Sequence, residues 1–347
     1  MNARPTEVGA AAKTTTGGRP DSLSLLLWLL QAGPIIILMT LAAVFGLLAP
    51  NFISVRNLQN LLAQSAIVCA LGLGEFLVIL VRGIDVSVGS VIALSVVAVA
   101  TLTGVDQPAS AAQIVLYPLI GLAVGLINGS LIVKGGIPQP LVVTVAMLGI
   151  AAGVALLISG GNTLVGVSSA VHWLANGKVL GVPAGALLVL VLAALFWLML
   201  RRTQWGRWLY AVGGNPDVAQ WVGLPRDRLI MSAYAICGAT AGLAGMLYHG
   251  RTGSASPLSG VGYELDAITA VVVGGASLFG GRGSITNVLF GALIIATIRS
   301  GLQQLDVSPF WSPVAIGVGI LLALELDVLR KRIEMRIRVI RARQINQ

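Results

Sequence analysis

Long apolar segments without charges, separated by short polar or charged breaks, occupy most of the 347-residue chain. A helix must supply about 20 apolar residues to cross the hydrocarbon core of a bilayer. Division of the chain at its charges and at its Pro, Gly and Asn breaks therefore predicts ten membrane-spanning helices. These spans are 23–49, 58–81, 88–104, 113–133, 139–159, 184–200, 229–249, 265–279, 285–301 and 313–329.

This pattern predicts an all-α polytopic membrane protein with three parts. Residues 1–21 are rich in Gly, Thr, Ala and Pro, and we expect them to form a disordered cytoplasmic tail. Residues 22–329 form the transmembrane domain, and residues 330–347 form a basic cytoplasmic tail. The uncharged run 23–49 exceeds the core of a secretory signal, which is about 7–15 residues long. It is therefore predicted to be a membrane helix.

Composition narrows the class of protein further. Hydrophobic residues make up 56% of the chain, charged residues only 10%, and the mean hydropathy is +0.91. A soluble domain carries about a quarter of its residues as charge, so a soluble enzyme and a disordered chain are excluded. Cys69 and Cys237 lie within apolar stretches, and no Cys/His spacing resembles a metal site. We expect neither a disulfide nor a cofactor.

The distribution of charge predicts the topology. The 22 Lys and Arg residues outnumber 13 Asp and Glu residues, which gives a net charge of +9. With ten spans and both termini in the cytoplasm, all basic residues fall on the cytoplasmic side except Arg56, Lys178, Arg251 and Arg299. This asymmetry is the one that orients membrane proteins, so the positive charge predicts no nucleic-acid partner. Eight spans stay possible if the pair of segments around Gly280 is re-entrant.

Two glycine-rich breaks interrupt the apolar pattern, one in each half of the chain. Irregular backbone at membrane depth survives only inside protein or along a wet cavity, and paired breaks hint at the internal duplication of many transporters. In the first break, Asp85 is expected to cap the next helix with help from Ser87, or to belong to a gate. The candidate gate or pore residues are Gly83, Asp85, Ser87, Gly89, Gly280, Gly281 and Gly283.

The cytoplasmic loop 201–228 contains the start and stop signals of a two-turn helix, with Asn as N-cap, Pro at the first position and Gly as the stop. Three apolar residues at positions i, i+3 and i+4 give this helix an apolar face outside the membrane. Such a face suits a groove on a cytoplasmic partner, or else rests on lipid at headgroup level. The segment comprises Asn215, Pro216, Asp217, Val218, Ala219, Gln220, Trp221, Val222 and Gly223.

Three strings of sequence, in the same order, resemble the permease subunits of bacterial ABC monosaccharide importers of the ribose, xylose, arabinose and galactose class. They lie within 83–90, 203–215 and 264–283, and the resemblance runs over about 23–332. It implies a homodimer or permease pair in the bacterial inner membrane, a separate cytoplasmic ATPase and a periplasmic sugar-binding protein. It also identifies the loop helix beginning at Asn215 as the coupling helix that docks on the ATPase.

The sequence departs from that family pattern at three positions. Val218 and Val222 stand where such permeases usually carry small residues, so the apolar face of the coupling helix is bulkier than the family pattern. Glu75 stands where a small or apolar residue is usual. Because an acid within a span is costly, Glu75 is a functional candidate. We expect it to make a structural contact with Arg82, two turns further on, or to take part in translocation.

Other polar residues near the outer ends of the spans have more than one interpretation. Arg299, the second candidate within a span, is expected to snorkel, to pair with Asp306 or to donate to sugar hydroxyls. Glu264 and Asp266 are expected to cap a helix or to meet basic residues of the binding protein. The two histidines, His172 and His249, are expected to be surface residues.

The favoured function is therefore the permease subunit of an ATP-driven importer of a pentose or hexose, with no catalytic residues of its own. No G-x-x-x-x-G-K-[ST] phosphate loop is present, so a partner must supply ATP hydrolysis. An ion-coupled secondary transporter would explain Glu75 and the broken helices, but it usually needs a connected set of membrane acids. An intramembrane enzyme is the weakest alternative because a His cluster or paired acids within a span are lacking. The identity of the sugar is not encoded in any motif.

Overall fold

The computed structural model describes residues 22–104, 111–308, 310–322, 324–325 and 328–329. Within them the chain is a bundle of α-helices with two very small antiparallel sheets. The class predicted from the apolar pattern, an all-α polytopic membrane protein, is confirmed. The two predicted tails, 1–21 and 330–347, lie outside the described residues.

Thirteen helices and four strands occur in the described part of the chain. The helices are α1 Ser22–Leu48, α2 Val55–Leu80, α3 Val88–Thr103, α4 Ala111–Lys134, α5 Pro140–Ser159, α6 Ser169–Asn176, α7 Ala184–Arg202, α8 Gln204–Gly214, α9 Pro216–Trp221, α10 Arg226–Thr252, α11 Tyr263–Val273, α12 Ile285–Gln304 and α13 Trp311–Leu322. The strands are β1 Leu164–Val165, β2 Lys178–Val179, β3 Val182–Pro183 and β4 Ser254–Ala255. Strand β1 pairs with β4, and β2 pairs with β3.

Six of these helices are long and apolar enough to cross a membrane: α2, α4, α5, α7, α10 and α12. Three shorter apolar helical segments overlap the predicted spans 23–49, 88–104 and 313–329: the part Gly33–Leu48 of α1, the helix α3 and the helix α13. The predicted span 265–279 differs, because α11 has only 11 residues and ends at Val273. Its neighbour α12 is a full 20 residues, longer than expected. The count of ten crossings and the cytoplasmic termini stay predictions.

Helix α2 forms the centre of the bundle. Every residue of the segment 65–80 is buried, and the helix packs against α7, α10, α11 and α12. A helix that is apolar on all sides belongs in the interior of a protein or of a bundle. The core cluster gathered around it includes Phe76, Ile92 and Leu209, all fully buried. The polar group on this central helix, Glu75, therefore lies deep inside the protein.

Glycines bring α4 and α10 into backbone contact. A Cβ atom at Gly121 would collide with the carbonyl oxygen of Gly238, and one at Gly238 would collide with that of Gly121. One turn further along each helix, Gly125 lies against the carbonyl oxygen of Tyr234, and Gly242 against that of Tyr117. Small residues four apart let membrane helices approach closely where lipid offers no hydrophobic driving force. This spacing is visible in the sequence, but the apolar pattern alone did not single it out.

Two helices that sequence reasoning missed complete the fold. Helix α6 lies between the predicted spans 139–159 and 184–200 and packs on α10. Helix α8 precedes the predicted loop helix, and Thr203 caps it by accepting the backbone N–H of Gly206 at 3.2 Å. Both helices are amphipathic rather than uniformly apolar, so a search for membrane spans does not find them.

The contact between α4 and α10 predicts a specific sensitivity. We expect Gly121→Ala to lower the free energy of unfolding by about 1–3 kcal/mol, because the added methyl group forces the two backbones apart. The matched control is Gly149→Ala on α5, where a Cβ atom meets no atom within 4 Å. Ala is the better helix former, so the control should be neutral or slightly stabilising. Thermal unfolding of the full chain in detergent measures both, and equal melting temperatures would contradict the packing role of Gly121.

Candidate functional site

The loop helix α9 forms where the sequence predicts it. The Asn215 side chain accepts the backbone N–H groups of Asp217 and Val218 at 3.2 and 3.1 Å, as an N-cap does. Pro216 occupies the first helical position, and Gly223 follows the helix with a left-handed φ of 80°. The predicted helix and its start and stop signals are thus present in the structure.

The apolar face of α9 points away from the bundle. The side chains of Val218, Trp221 and Val222 are 46%, 83% and 68% exposed, whereas Ala219 on the opposite side is buried. Asp217 and Gln220 are also exposed. An exposed Trp beside two exposed Val residues is a candidate anchor for a partner, because buried aromatic side chains dominate protein interfaces.

Helix α9 packs against α8 and α10. The carbonyl oxygen of Ala219 accepts the backbone N–H of Leu224 at 3.0 Å, which folds the chain back toward α10. The Trp205 indole of α8 donates to the Ser232 hydroxyl of α10 at 3.0 Å. Helix α9 therefore sits on a platform formed by α8 and the first turns of α10.

Arg82 joins this platform to the end of α2. Its Nε and one Nη atom donate to the carbonyl oxygens of Gly213 and Gly214, both at 2.7 Å, at the end of α8. Arg82 has a left-handed φ of 68°, which turns the chain sharply after α2. The expected pairing of Arg82 with Glu75 is therefore wrong, because the guanidinium group reaches toward α8 and not back along α2.

The second glycine-rich break meets the first at the same place. The backbone N–H of Gly281 donates to the carbonyl oxygen of Leu80 at 2.9 Å, and the Gly280 backbone lies beside the Arg82 side chain. The Tyr210 hydroxyl of α8 donates to the Gly283 carbonyl oxygen at 3.0 Å. The two breaks, 200 residues apart in sequence, are thus brought together beneath α8. We refer to this contact region as the α8 junction.

The first break turns into the protein interior between α2 and α3. Asp85 and Ser87 are buried there, and one Asp85 carboxyl oxygen accepts both the backbone N–H and the hydroxyl of Ser87. Asn128 of α4 donates to the Ser87 hydroxyl at 3.0 Å, and Thr144 of α5 donates to the Ile84 carbonyl oxygen at 3.1 Å. Asp85 accepts the backbone N–H of Ser87 as expected, but Ser87 is the N-cap of α3 and no side chain caps the helix, so the expected capping of α3 by Asp85 is wrong.

Glu75 completes this buried cluster. It is fully buried, and its Oε1 atom accepts the backbone N–H of Asp85 at 3.0 Å. Its Oε2 atom lies 3.7 Å from the thiol of Cys237 on α10. A structural polar contact was one of the two expectations for Glu75, and its partners are Asp85 and Cys237. Asp85, Asn128 and Cys237 were not connected with Glu75 by any sequence spacing, because they lie on different elements.

The start of α3 also contacts the start of α11. The Gly89 backbone lies against the Glu264 carboxylate and the carbonyl oxygen of Gly260, so that a side chain at Gly89 would collide with both. Glu264 accepts the Gly262 backbone N–H at 3.1 Å. Helices α3 and α11 therefore meet at their N-terminal ends.

Comparison with known proteins identifies the family. The family model described as "Branched-chain amino acid transport system / permease component" matches residues 57–324. The chain belongs to this permease family. The resemblance inferred from the three sequence strings is confirmed.

Several curated relatives of the permease cover most of its length. The ribose import permease protein of Escherichia coli K12 is 36% identical over 304 residues, which is 86% of this chain and 94% of the relative. The D-allose transport system permease protein of the same strain is 40% identical over 300 residues, with shares of 86% and 91%. The fructose import permease protein of Rhizobium meliloti is 37% identical over 309 residues, with shares of 85% and 84%. No solved structure matches the chain significantly.

Charged residues of the permease near the start of α11 are paired internally. The Arg299 guanidinium of α12 lies 2.6 Å from a carboxylate oxygen of Asp266, which is buried. The same guanidinium lies over the ring of Tyr263, 5.3 Å from its centroid. The expected pairing of Arg299 with Asp306 is therefore wrong, and the burial of Asp266 leaves it no free surface for a partner protein. The pairing with Asp306 was inferred from closeness in sequence, whereas the partner of Arg299 lies on another helix.

The two histidines of the permease differ in burial. His172 on α6 is exposed, as expected. His249 is buried: its Nδ1 atom is 2.6 Å from the Tyr117 hydroxyl, and its Nε2 atom is 3.0 Å from the Gly166 carbonyl oxygen. The expectation of a surface position for His249 is wrong. In the described part of the chain, no three His, Cys, Asp or Glu side chains come together as metal ligands would.

The ion pair between Arg299 and Asp266 predicts a test by double substitution. Removal of the cation leaves a buried carboxylate uncompensated, so Arg299→Gln should cost about 3 kcal/mol of stability. Asp266→Asn in the same chain removes that carboxylate, and we expect the double variant to be more stable than Arg299→Gln alone. Thermal unfolding of the wild type, both single variants and the double variant measures the coupling. Additive effects of the two substitutions would show that the pair does not interact.

Proposed function

We propose that the chain is the transmembrane subunit of an ATP-binding cassette importer that carries a monosaccharide, a pentose or a hexose, across the bacterial inner membrane. The names of the relatives, which include ribose, allose, fructose and galactose import permeases, support a sugar as the substrate. The observation that carries the proposal is the exposed apolar face of α9 on its rigid platform. An importer needs such a surface because this chain has no phosphate loop of its own.

In this proposal, α9 is the coupling helix and residues 215–223 dock on a cytoplasmic ATPase subunit. Trp221, 83% exposed, would be the anchor that fills the ATPase groove. Val218 and Val222 widen the apolar face, so the groove must accommodate branched side chains. The five Arg residues of the loop 201–228 place positive charge around the docking surface.

The α8 junction offers a path from the ATPase to the membrane interior. A push on α9 moves α8, since the two helices pack directly against each other, and the Trp205 indole joins α8 to α10. Arg82 then transmits the displacement to the end of α2, and Gly281 to the second break. Rigid-body displacement of packed elements is a common way in which transporters switch between two states. Motion of α8 would therefore displace the two breaks that contain the candidate gate residues.

The importer would further contain a homodimer or a permease pair and a periplasmic sugar-binding protein. Large apolar side chains are exposed on α5 and on α13, among them Val142, Leu157 and Leu321. In the bilayer such surfaces face lipid or a second permease chain. The binding protein would dock at the end of the bundle opposite α9. That end carries α6 and the strand pair β2–β3.

An ion-coupled secondary transporter is not favoured. Such a transporter needs acids that reach the transport path, and here Glu75 and Asp85 are 0% and 1% exposed. Their contacts are to backbone and side chains of the surrounding helices. The buried cluster therefore supports a structural role of these acids over a relay of ions.

The docking role of α9 predicts the effect of a charge at its apolar face. We expect Trp221→Glu to weaken binding of the ATPase subunit by about 2 kcal/mol or more, roughly thirtyfold in affinity, because the carboxylate must be desolvated in an apolar groove. Co-purification of the ATPase with the tagged permease, and uptake of radiolabelled monosaccharide by cells, measure the loss.

The matched control is Trp173→Glu. Trp173 lies on α6 and is 52% exposed, and it carries the same substitution at a site remote from α9. The control should retain the ATPase, and both variants should elute as folded protein on size-exclusion chromatography. Normal ATPase binding by a folded Trp221→Glu variant would refute the role assigned to α9.

A further inference from the structure

The buried cluster around Glu75 has an unbalanced charge. Glu75 of α2 and Asp85 of the first break are joined by the hydrogen bond from the Asp85 backbone to the Glu75 carboxyl group. Asn128 of α4, and Tyr234 and Cys237 of α10, surround them, and all five side chains are fully or almost fully buried. Within the described residues, the hydrogen bonds and ion pairs of the two carboxyl groups include no Lys, Arg or His.

The nearest basic residue in sequence does not compensate the pair. Arg82 lies between Glu75 and Asp85 in sequence, but its guanidinium group donates to Gly213 and Gly214 at the α8 junction. Two ionised carboxylates without a cation in a dry interior would be very costly, so at least one of them must be neutralised. A proton does so without the space that a metal ion and its ligands require.

The surrounding donors distinguish the two carboxyl groups. Asp85 accepts three hydrogen bonds: the backbone N–H and the hydroxyl of Ser87, and the Asn128 amide at 3.4 Å. Glu75 accepts one backbone N–H and the weak S–H donor of Cys237 at 3.7 Å. Hydrogen bonds to the charged form favour it, so the negative charge belongs on Asp85.

One buried oxygen beside the pair lacks a hydrogen-bond donor. The Asn128 Oδ1 atom makes no hydrogen bond within the described residues, whereas the Tyr234 hydroxyl lies close to the Ile84 backbone N–H. Asn128 points its amide group at Asp85 and Ser87, and the Tyr234 hydroxyl lies against Gly83 of the same loop. A carboxylic acid O–H is a donor that needs an acceptor in this cluster. A buried oxygen without a donor is what a protonated carboxyl group would use.

We propose that Glu75 and Asp85 form a buried proton-binding site that holds one proton on Glu75 and one negative charge on Asp85. Two carboxyl groups in different environments commonly divide the roles of acid and anion in this way. Glu75 then anchors the loop between α2 and α3 as a neutral acid. Because no member of the cluster is more than slightly exposed, the proton stays in place in this conformation and is not cargo.

Infrared spectroscopy of the full-length protein in lipid nanodiscs at neutral pH tests the proposal. A neutral carboxylic acid has a carbonyl stretching band that is separate from the bands of carboxylates. We expect such a band in the wild-type protein. It should shift when Glu is isotopically labelled at the side-chain carboxyl carbon, and it should not shift when Asp is labelled in the same way. Absence of the band, or a shift with labelled Asp, would overturn the proposal. This measurement needs no substitution and so does not depend on the folding of a variant.

Variants assign the band to one residue. Glu75→Gln should abolish it and keep the melting temperature close to that of the wild type, because a neutral amide can still accept the Asp85 backbone N–H. The matched control is Glu264→Gln, a half-buried Glu on α11 whose loss should leave the Glu75 band in place. A band that persists in Glu75→Gln would overturn the assignment. If the Glu75→Gln chain does not fold, the neutral character proposed for Glu75 is contradicted, since Gln mimics the protonated acid.

A bound metal cation is the competing way to balance the charge. Thermal unfolding of the wild type in sodium chloride and in choline chloride of equal concentration distinguishes it. We expect equal melting temperatures in the two salts. A melting temperature that is higher in sodium chloride for the wild type, but equal in the two salts for Glu75→Gln, would show that a cation binds the pair. That result would overturn the proposed proton-binding site.

Discussion

Backbone groups of a broken helix inside a membrane protein must find their partners within the protein, because hydrocarbon offers none. The chain breaks between α2 and α3 in the interior of this bundle, and the side chains of Glu75, Asp85 and Thr144 satisfy backbone groups there. The two acids thus supply hydrogen-bond acceptors that the backbone of the break requires. These side chains allow α3 to start inside the bundle. There the backbone of Gly89 contacts the start of α11.

The same break has a second role, because its first turn, at Arg82, forms part of the α8 junction. Arg82 ties the end of α2 to α8, and the Gly281 backbone ties the second break to Leu80. Helix α9 packs against α8. Movement of α9 by an ATPase would therefore reach both breaks at once. Close glycine contacts hold α4 and α10 in backbone contact in the rest of the bundle.

Much of this architecture is predictable from the sequence because helix length and helix capping depend on residues that are close together in the chain. Apolar length predicts the long helices, such as α2 and α10, and the order of Asn215, Pro216 and Gly223 predicts α9 from its capping signals. The partners of Glu75 and Arg299 are not predictable in the same way, since they lie on other helices and depend on packing. His249 was misassigned for the same reason. The shortness of α11 also depends on the fold, because the helix ends at Val273 and the next residue, Gly274, packs its backbone against the carbonyl oxygen of Asn287 on α12.

The most direct test of the central claim is transport by the reconstituted system. Proteoliposomes containing the full-length chain, its ATPase subunit and its sugar-binding protein should take up labelled monosaccharide only when ATP is supplied on the side of α9. Liposomes that contain the chain alone, with an imposed proton or sodium gradient, should take up none. Gradient-driven uptake by the chain alone, without ATP or a partner, would contradict the account.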